Sequence, residues 1–529
     1  MKYKRRSTGE EKVQKIAAGE EGNYRMERVP LKQTDRHHKS PGGDLCIRDS
    51  NKGGCLVSIF QDSVMHHLSR LDKAFLRKGI QLSRANNIVS SSRPSGARAR
   101  VLLPDELPLE EKAVTQLLDF AEVKLPDHPG YVRQTCATPD FHPGNGVPVG
   151  AVVASTPDLV IPAAIGTDIS CGMRLLTTGL TLEQAEANKE IITQRLTQVL
   201  LQNERDVPLS ARAFTALFDG GPADCMSALP SAGLWTRTNI PRMVQEIDRC
   251  IGLNEHNSHS RYAPPALLAT DRALLRDPCL GTPGSGNHFI ELQVVDSVVD
   301  RHVAWQQGLK TGDIVVMIHS GSRDVGFYVG RRWMDRARAE WPTGHKHPQS
   351  GLYGLAGGLA EEYLQAIGMA ARYAWLNRVT IAEMVRVCLA NLFHQDNSHL
   401  VVDVPHNIIL REHEMNIHRK GATPARVGNL ALIPGSMGDY SWLAVGCGNP
   451  EWLWSCSHGA GRSQRRQAMR SRATEESTLP WQCVTLREER RFEEAPAAYK
   501  DIGPVIEAQQ EAGLIQPAVR FRPWLTFKG

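Results

Sequence analysis

The sequence predicts a mixed α/β or α+β protein built as a single main domain, and three observations lead to this prediction. From about residue 130 onward, short apolar runs of strand length alternate with amphipathic segments of helical length. The clearest helix is predicted over residues 358–393, where Asn377–Arg378 indicates either a break or a polar contact. The 529 residues are enough to bury a large core, although length alone does not decide between one domain and two.

Polar segments set the predicted organisation of the chain. Residues 1–55 are rich in Lys, Arg and Glu without apolar periodicity, which predicts a disordered tail. Residues 56–129 form an N-terminal region ahead of the main body, residues 130–529. The stretch SSSRPSGARAR, residues 90–100, is typical of a mobile loop or linker. The arginine-rich residues 463–478 predict a surface segment.

Composition and charge limit the classes of protein to which the chain could belong. With 41% hydrophobic and 22% charged residues, the chain resembles soluble globular proteins, and it has no apolar run long enough to span a bilayer. The eleven cysteines are scattered and odd in number, so we expect no disulfide framework and a reducing, cytoplasmic setting. The net charge of +5 permits an anionic partner but does not require one.

Polar residues follow apolar runs at several places in the chain. In IGTDISCGMRLL, Asp168 and Cys171 follow the run LVIPAAI, so we expect them where a buried strand ends. The same design places His319, His406, Asn407, Ser436 and His458 after apolar runs, and a glycine-rich turn leads into Asn287, His288 and Glu291. Strand ends commonly carry functional side chains, because the sheet behind them is rigid.

Five of these residues offer donors that borderline divalent metals accept. They are Asp168, Cys171, His288, His319 and His406. One thiolate, three imidazoles and one carboxylate are too few for two separate tetrahedral sites, whereas a sulfur shared by two ions satisfies the count. Donor type does not identify the metal, because the affinity order favours zinc over manganese. Taken singly, Asp168 could cap a helix and Cys171 could be an ordinary buried thiol.

His458 stands apart from the five metal candidates. It lies in SHGAGR, where small residues allow close backbone approach and Arg462 brings positive charge. A neutral imidazole near two metal ions could attack phosphorus and form a phosphoramidate. A sixth metal ligand and a general base remain open as alternatives for this residue.

Nine motifs follow one another along the chain. They are ATPDFHPGNGVPVGAV, IGTDISCGMR, GTPGSGNHFIELQ, HSGSRDVG, VPHN, HRKGATPA, IPGSMGDYSW, SHGAGR and EEAPAAYKDI. Their content and order resemble those of RtcB-type RNA-splicing ligases over residues 130–529, whereas residues 1–129 match poorly. The C-terminal AGLIQPAVRFRPWLTFKG and the GDYSW variant resemble the branch associated with RNA repair.

The resemblance implies a fold and an activity. The implied fold is α+β, with mixed sheets and flanking helices around a deep catalytic cleft. The implied enzyme uses GTP and two Mn²⁺ ions to join an RNA 2′,3′-cyclic phosphate or 3′-phosphate to a 5′-hydroxyl, in tRNA splicing or RNA repair. It works through a GMP–histidine intermediate and a 3′-guanylylated RNA. We expect a cytoplasmic monomer with RNA, such as tRNA, as its partner, and the sequence leaves a helper protein open.

The resemblance also implies residue roles. The five metal candidates would hold the two ions, with Cys171 bridging, and His458 would take GMP from GTP. Asp140 would assist that step, although an aspartate that orders a turn is the structural alternative. The implied GTP site comprises Asn287, His288, Phe289, Ile290, Glu291, His406, Asn407, Pro434, Gly435, Ser436, Met437, Ser441, His458, Gly459, Ala460, Gly461, Tyr499 and Lys528.

Three members of the GTP set have a chemical reason to select guanine. The Glu291 carboxylate can accept hydrogen bonds from two donors on the guanine edge that adenine lacks. Lys528 could donate to the guanine carbonyl, and Tyr499 could supply a ring or hydroxyl contact.

The chain departs from the family pattern at two positions. Asp324 replaces the glycine usual after HSGSR, and Arg465 replaces a serine usual after HGAGR. Both lie beside the implied site, so the rate or the choice of RNA could differ. All five metal candidates and His458 are retained, which argues against an inactive homologue.

Two other functions remain open at this stage. One is a two-metal phosphodiesterase or phosphatase acting on RNA ends, with His458 as an acid. The other is an RNA-binding homologue without turnover. The basic N-terminal tail could add RNA attraction in any of these cases.

Overall fold

Two large β-sheets, of seven and eight strands, organise the protein. The computed structural model describes residues 69–269, 273–470 and 482–529. The predicted tail, residues 1–55, lies outside the described residues. The α+β class is confirmed, and the deep catalytic cleft stays a prediction.

The helices vary from one turn to ten turns in length. Those of the described residues are α1 (Arg70–Arg77), α2 (Glu111–Ala121), α3 (Leu182–Glu186), α4 (Lys189–Leu200), α5 (Ala211–Thr215), α6 (Pro222–Ser227), α7 (Ile240–Gln245), α8 (Arg301–Gln306), α9 (Arg323–Ala339), α10 (Gly357–Phe393), α11 (Arg466–Arg470), α12 (Glu488–Glu493) and α13 (Ile502–Glu511). None of the described helices is both long enough and apolar enough to cross a bilayer.

The strands are mostly short and antiparallel. In chain order they are β1 (Gln81–Ala85), β2 (Ile88–Ser92), β3 (Arg98–Leu102), β4 (Val132–His142), β5 (Val149–Ser155), β6 (Leu159–Val160), β7 (Gly172–Thr181), β8 (Phe289–Val298), β9 (Asp313–Ser320), β10 (Leu355–Ala356), β11 (Leu400–Pro405), β12 (Asn407–Glu412), β13 (Met415–Lys420), β14 (Ala422–Pro424), β15 (Leu430–Ile433), β16 (Ser441–Gly446), β17 (Ser455–Ser457), β18 (Gln482–Thr485) and β19 (Ile515–Lys528).

The first sheet has the strand order β1-β2-β3-β4-β5-β13-β12, and the second has the order β11-β7-β9-β8-β19-β16-β15, with β18 parallel to β19. Two short pairs, β6–β10 and β14–β17, complete the described strands. In the second sheet, alternate side chains enter two different hydrophobic clusters. On β9, Val316 and Ile318 pack with α10 on one face, while Val315 and Met317 pack on the other. Both faces of this sheet are therefore covered.

Residues 90–100 form paired strands, so the prediction of a mobile loop or linker is wrong. The stretch contains the end of β2, the turn and the start of β3, and Ser91 pairs with Ala99. The Arg93 N–H donates to the Ala97 carbonyl across the turn. Serine and arginine are typical of loops, but here the alternate positions Ala97 and Ala99 pack into the core. Pairing and burial therefore override composition.

The long helix α10 matches the predicted span to within one residue. It does not break at Asn377–Arg378, and both side chains are buried. The Asn377 side chain donates to the carbonyls of Thr282 and Gly321. The polar interruption in the sequence therefore marks a polar contact, which was one of the two predicted alternatives.

A buried ion-pair network surrounds Arg378. The Asp403 carboxylate accepts hydrogen bonds of 2.7–3.1 Å from Arg378, and its Oδ2 lies 3.2 Å from Arg174 Nη1. Arg378 Nη1 also donates to the carbonyls of Ser170 and Ser320, at 2.8 and 3.1 Å. The guanidinium therefore ties together the loop before β7 and the end of β9.

We expect the substitution Asp403→Asn to lower the free energy of unfolding by about 3–5 kcal/mol, because it leaves buried arginine charges uncompensated. Denaturant unfolding measures this change. Asp396→Asn is the matched control, since its carboxylate pairs with Arg242 at a partly exposed position, and we expect it to cost less than about 1 kcal/mol. Equal effects of the two substitutions would contradict the role assigned to the buried network.

Candidate active site

Four strands of the second sheet bring the predicted metal ligands to one edge. Cys171 directly precedes β7, His288 precedes β8, His319 lies near the end of β9, and His406 follows β11. The neighbouring strands are antiparallel, and His319 pairs with Met173 of β7 on one side and with Phe289 of β8 on the other. The starts of β7 and β8 and the ends of β9 and β11 therefore meet at the same edge of the sheet.

The placement of Asp168 and Cys171 after a buried strand is corrected by the structure. In the run LVIPAAI only Leu159–Val160 is a strand, and Pro162–Ala164 forms a turn of 3₁₀ helix. Proline has no N–H to donate to a strand ladder, which accounts for the early end. Asp168 and Cys171 lie in the loop that leads into β7, so they precede a strand instead of following one.

The five candidates form two groups that share one sulfur. Cys171 Sγ lies 3.1 Å from His288 Nε2 and 3.2 Å from His319 Nε2. Asp168 Oδ2 lies 3.0 Å from His288 Nε2, and the Nε2 atoms of His319 and His406 are 3.2 Å apart. The two groups that could each hold an ion are Cys171, His319 and His406, and Asp168, Cys171 and His288. Cys171 is therefore common to both groups, and its role as a ligand shared by two ions stays a prediction.

The protonation of these side chains suits metal binding. Burial lowers the pKa of His319 and His406 well below the ordinary value, so both imidazoles are neutral. His319 Nδ1 lies 3.1 Å from the Asn287 carbonyl and donates to it, which leaves the lone pair of Nε2 for the cluster. Burial, together with Asp168, raises the pKa of the Cys171 thiol, so a thiolate there requires nearby positive charge. The donor set therefore fits divalent cations.

Lys420 was missed by the sequence interpretation, although its motif HRKGATPA was recognised. It is located in β13, and its Nζ donates to the Ile165 carbonyl at 3.1 Å. Burial lowers its pKa, while the nearby Asp168 and Cys171 act in the opposite direction. Lys420 therefore holds the backbone of the loop that leads to both residues.

His458 lies beside the metal candidates, on the other side of His406. It follows β17, and its ring centroid is 4.8 Å from that of His406. Its Nδ1 lies 2.6 Å from Asp140 Oδ2 and donates to this carboxylate. Burial raises the pKa of Asp140, but hydrogen bonds to its carboxylate, with that from His458 the largest, outweigh burial, so the net pKa is below the ordinary value. Asp140 therefore stays ionised and fixes the Nδ1–H tautomer, with the lone pair on Nε2.

The segment around Asp140 is tightly held. Lys500 Nζ donates to the carbonyls of Pro139 and Phe141, at 3.0 and 2.6 Å, and burial lowers its pKa to about 8. Gly461 has φ +77°, and a Cβ there would lie 2.2 Å from the Asp140 carbonyl oxygen. The close approach predicted for SHGAGR therefore occurs. Lys500 was not found from the sequence, although it is part of the motif EEAPAAYKDI.

Glu291 is surrounded by hydrogen-bond donors. It lies in β8, where Gln293 Nε2 donates to Oε1 at 2.6 Å and the Thr526 hydroxyl donates to Oε2. Gln293 also donates to the Ser441 hydroxyl at 3.0 Å. Burial raises the pKa of Glu291 to about 7. Both partners were missed. Thr526 is brought to Glu291 by the register between β8 and β19, whereas Gln293 lies two residues further along β8, on the same face of the strand.

Lys528 connects the metal candidates with the Glu291 region. Its Nζ donates to the His288 carbonyl at 3.2 Å and lies 5.9 Å from the centroid of the Phe289 ring. Tyr499 belongs to a neighbouring group, where its hydroxyl donates to Glu494. The buried Glu494 carboxylate also pairs with Arg462 at 2.9 Å. Glu494 was not assigned from the sequence.

The other predicted GTP residues lie near the Asp168 loop, in the hydrophobic core, or in the turns after β15 and β17. Asn407 Nδ2 donates to the Asp168 carbonyl at 3.1 Å, and the Ala460 N–H donates to the Pro434 carbonyl at 3.1 Å. Ile290 packs in the hydrophobic core, so only its backbone is available to a ligand. The remaining residues lie in the turns after β15 and β17, where their contact with a nucleotide stays a prediction; they are Gly435, Ser436, Met437 and Gly459.

The two departures from the family pattern occupy exposed positions. Asp324 is in the first turn of α9, and Arg465 precedes α11. Arg466, next to Arg465, pairs with Glu494 at 2.7 Å. Residues 471–478 of the predicted arginine-rich surface segment lie outside the described residues.

A family model described as tRNA-splicing ligase RtcB matches residues 122–529. The chain belongs to the RtcB family. The family assignment predicted from the nine motifs is therefore confirmed, and the match includes every predicted site residue of this RtcB-family chain.

Three curated RtcB relatives cover most of the chain, and all are named tRNA-splicing ligase RtcB. The chain is 33% identical to the Pyrobaculum aerophilum protein over 441 residues, which are 76% of this chain and 89% of the relative. It is 31% identical to the Aeropyrum pernix protein over 453 residues, with the same two coverages. It is also 31% identical to the Thermococcus kodakarensis protein over 479 residues, 81% of this chain and 94% of the relative.

Proposed function

We propose that this protein is a GTP-dependent RNA ligase that joins 2′,3′-cyclic phosphate or 3′-phosphate ends to 5′-hydroxyl ends, in tRNA splicing or RNA repair. Membership of the RtcB family supports the ligase class. The observation that carries the proposal is one sulfur, Cys171 Sγ, common to two groups of metal donors, with the His458 ring 4.8 Å from the His406 ring.

His458 would be the nucleophile. The Nδ1–H bond to Asp140 leaves the Nε2 lone pair available to attack the α-phosphorus of GTP. The new N–P bond forms as the bond from that phosphorus to the pyrophosphate oxygen breaks, and pyrophosphate leaves. The ring gains positive charge in this step, and the adjacent Asp140 carboxylate stabilises it. Asp140 is therefore a positioning residue in this proposal.

The second and third steps transfer GMP and join the RNA. A 3′-phosphate oxygen of the RNA attacks the phosphorus of the histidine adduct, and the N–P bond breaks to restore the imidazole. The 5′-hydroxyl then attacks the RNA 3′-phosphorus, a phosphodiester forms, and GMP leaves. An RNA that ends in a 2′,3′-cyclic phosphate would first be hydrolysed to a 3′-phosphate, because the oxygen that attacks the histidine adduct belongs to a phosphate monoester. Bound at the two groups that share Cys171, two divalent ions would neutralise phosphate charge and act as Lewis acids.

GTP binding is expected to strengthen as the pH rises through about 7. The pKa of Glu291 is raised to about 7, and only the ionised carboxylate accepts both hydrogen bonds from the guanine edge. Titration calorimetry with GTP from pH 6 to 8 measures the effect, and ATP serves as the ligand control. Glu291→Gln should bind GTP more weakly and lose this pH dependence. A pH dependence that survives this substitution would rule out Glu291 as its source.

Incubation with GTP labelled at the α-phosphate, in the presence of Mn²⁺, tests the proposal. We expect a protein adduct that is stable in base and labile in acid, as a phosphoramidate is. A two-metal phosphodiesterase would form no adduct and would open cyclic phosphates, and an RNA-binding homologue would do neither. Either of those results would overturn the proposed ligase mechanism.

A further inference from the structure

One face of α9 is basic and exposes an aromatic ring. The helix Arg323–Ala339 carries five arginines against two aspartates. The Phe327 side chain is 59% exposed, whereas phenylalanine side chains are usually buried. Phe327, Arg331 and Arg338 lie within about 40° of one another around the helix and span about 16 Å along it. They form a stripe that we call the α9 track.

The arginines of the α9 track are available to a ligand. Arg336, on the same helix, pairs with Glu340 and Glu362 at 3.7 and 3.5 Å. Among the ion pairs of the described residues, none includes Arg331 or Arg338, and both side chains are exposed. Their charges are therefore not neutralised within the part of the protein that the structure describes.

The α9 track starts beside the candidate metal centre. The Ser322 hydroxyl, at the start of α9, donates to the Ile169 carbonyl at 2.6 Å. Gly326 and Gly330 pack on the same loop, where added Cβ atoms would lie 2.7 Å from the Thr167 carbonyl and 2.9 Å from that of Gly166. Phe327 and Arg331 each follow one of these glycines, about 100° further around the helix. The track therefore flanks the loop that carries Asp168.

We propose that the α9 track binds the single-stranded RNA next to the end that is joined. Phe327 stacks on an unpaired base, and Arg331 and Arg338 contact successive phosphates of the strand. Exposed rings bind bases only where these are unstacked, and unpaired arginines complement a polyanion, so the chemistry favours single-stranded RNA over a protein partner. This inference rests on the proposed ligase function, and it assigns the RNA surface that the reaction requires.

The test measures binding of a fluorescent single-stranded RNA by polarisation. The oligonucleotide carries hydroxyl groups at both ends, so that it cannot be ligated. We expect the double substitution R331A/R338A to weaken binding about tenfold and to reduce the slope of log K against log salt by about 1.4, as expected for two lost phosphate contacts on a single strand. The double substitution R98A/R212A removes the same charge from exposed positions elsewhere and is the matched control.

Two further variants distinguish the loss of specific RNA contacts from a loss of binding caused by misfolding. Asp335 is exposed on the same helix, and D335N should tighten binding about threefold, which a damaged fold would not do. F327A should weaken binding of single-stranded RNA about tenfold and leave binding of duplex RNA unchanged. Equal losses in the control and the track variants, or no change in D335N and F327A, would overturn the inference. The labelled-GTP adduct of the unsubstituted protein reports separately on the proposed ligase function.

Discussion

Replacing Cys171 with alanine is expected to remove both metal ions from the protein and to abolish labelling by GTP. The sulfur belongs to both groups of donors, so its loss leaves each ion with two protein ligands. The first group would keep the buried, neutral imidazoles of His319 and His406. The second would keep His288 and the partly buried carboxylate of Asp168. Inductively coupled plasma mass spectrometry after dialysis should give two Mn²⁺ per chain for the unsubstituted protein and none for Cys171→Ala.

Cys388→Ala is the control for this experiment. Cys388 is a second buried free cysteine, located in α10, and it belongs to neither group of metal donors. We expect this variant to keep two ions per chain. One ion retained tightly by Cys171→Ala would mean that the two groups do not share the sulfur.

Replacing His458 with alanine is expected to abolish the GMP adduct while both metal ions stay bound. The imidazole supplies the attacking Nε2, and no other imidazole of the cluster is free of the metal groups. Asp140→Asn should slow adduct formation by about 10³-fold, because the amide no longer fixes the Nδ1–H tautomer or stabilises the charged ring. Adduct formation by each variant is measured over time with α-labelled GTP.

The metal content of His458→Ala distinguishes the roles that the sequence left open for this residue. Loss of one ion would identify His458 as a sixth metal ligand. An adduct that still forms would show that another residue is the nucleophile. Either result would contradict the assignment of His458 in the proposed mechanism.

Much of the candidate site could be predicted from local sequence. His319 and His406 end apolar runs, and His288 follows a glycine-rich turn, so their strand-end positions were readable without a structure. Counting donors predicted that Cys171 would be common to two groups of donors, as it is in the structure. The strand preceding Asp168 was predicted wrongly, because Pro162 ends the apolar run as a strand.

Contacts between distant segments could not be read from the sequence. Asp140 and His458 are 318 positions apart, and their contact joins β4 to the end of β17. The partners of Arg378 and the contact between Thr526 and Glu291 are set by strand register and by the path of α10, which local patterns do not encode. The hairpin at residues 90–100 shows the same limit, since its composition is that of a loop and only pairing makes it a sheet.

The most direct measurement is an anomalous-difference map from crystals of the protein grown with Mn²⁺ and GTP. The account predicts two peaks, one among Cys171, His319 and His406 and the other among Asp168, Cys171 and His288, both bonded to Cys171 Sγ. The imidazole of His458 should lie outside both coordination spheres and face the α-phosphorus. A single peak, or two peaks without a common sulfur ligand, would contradict the account.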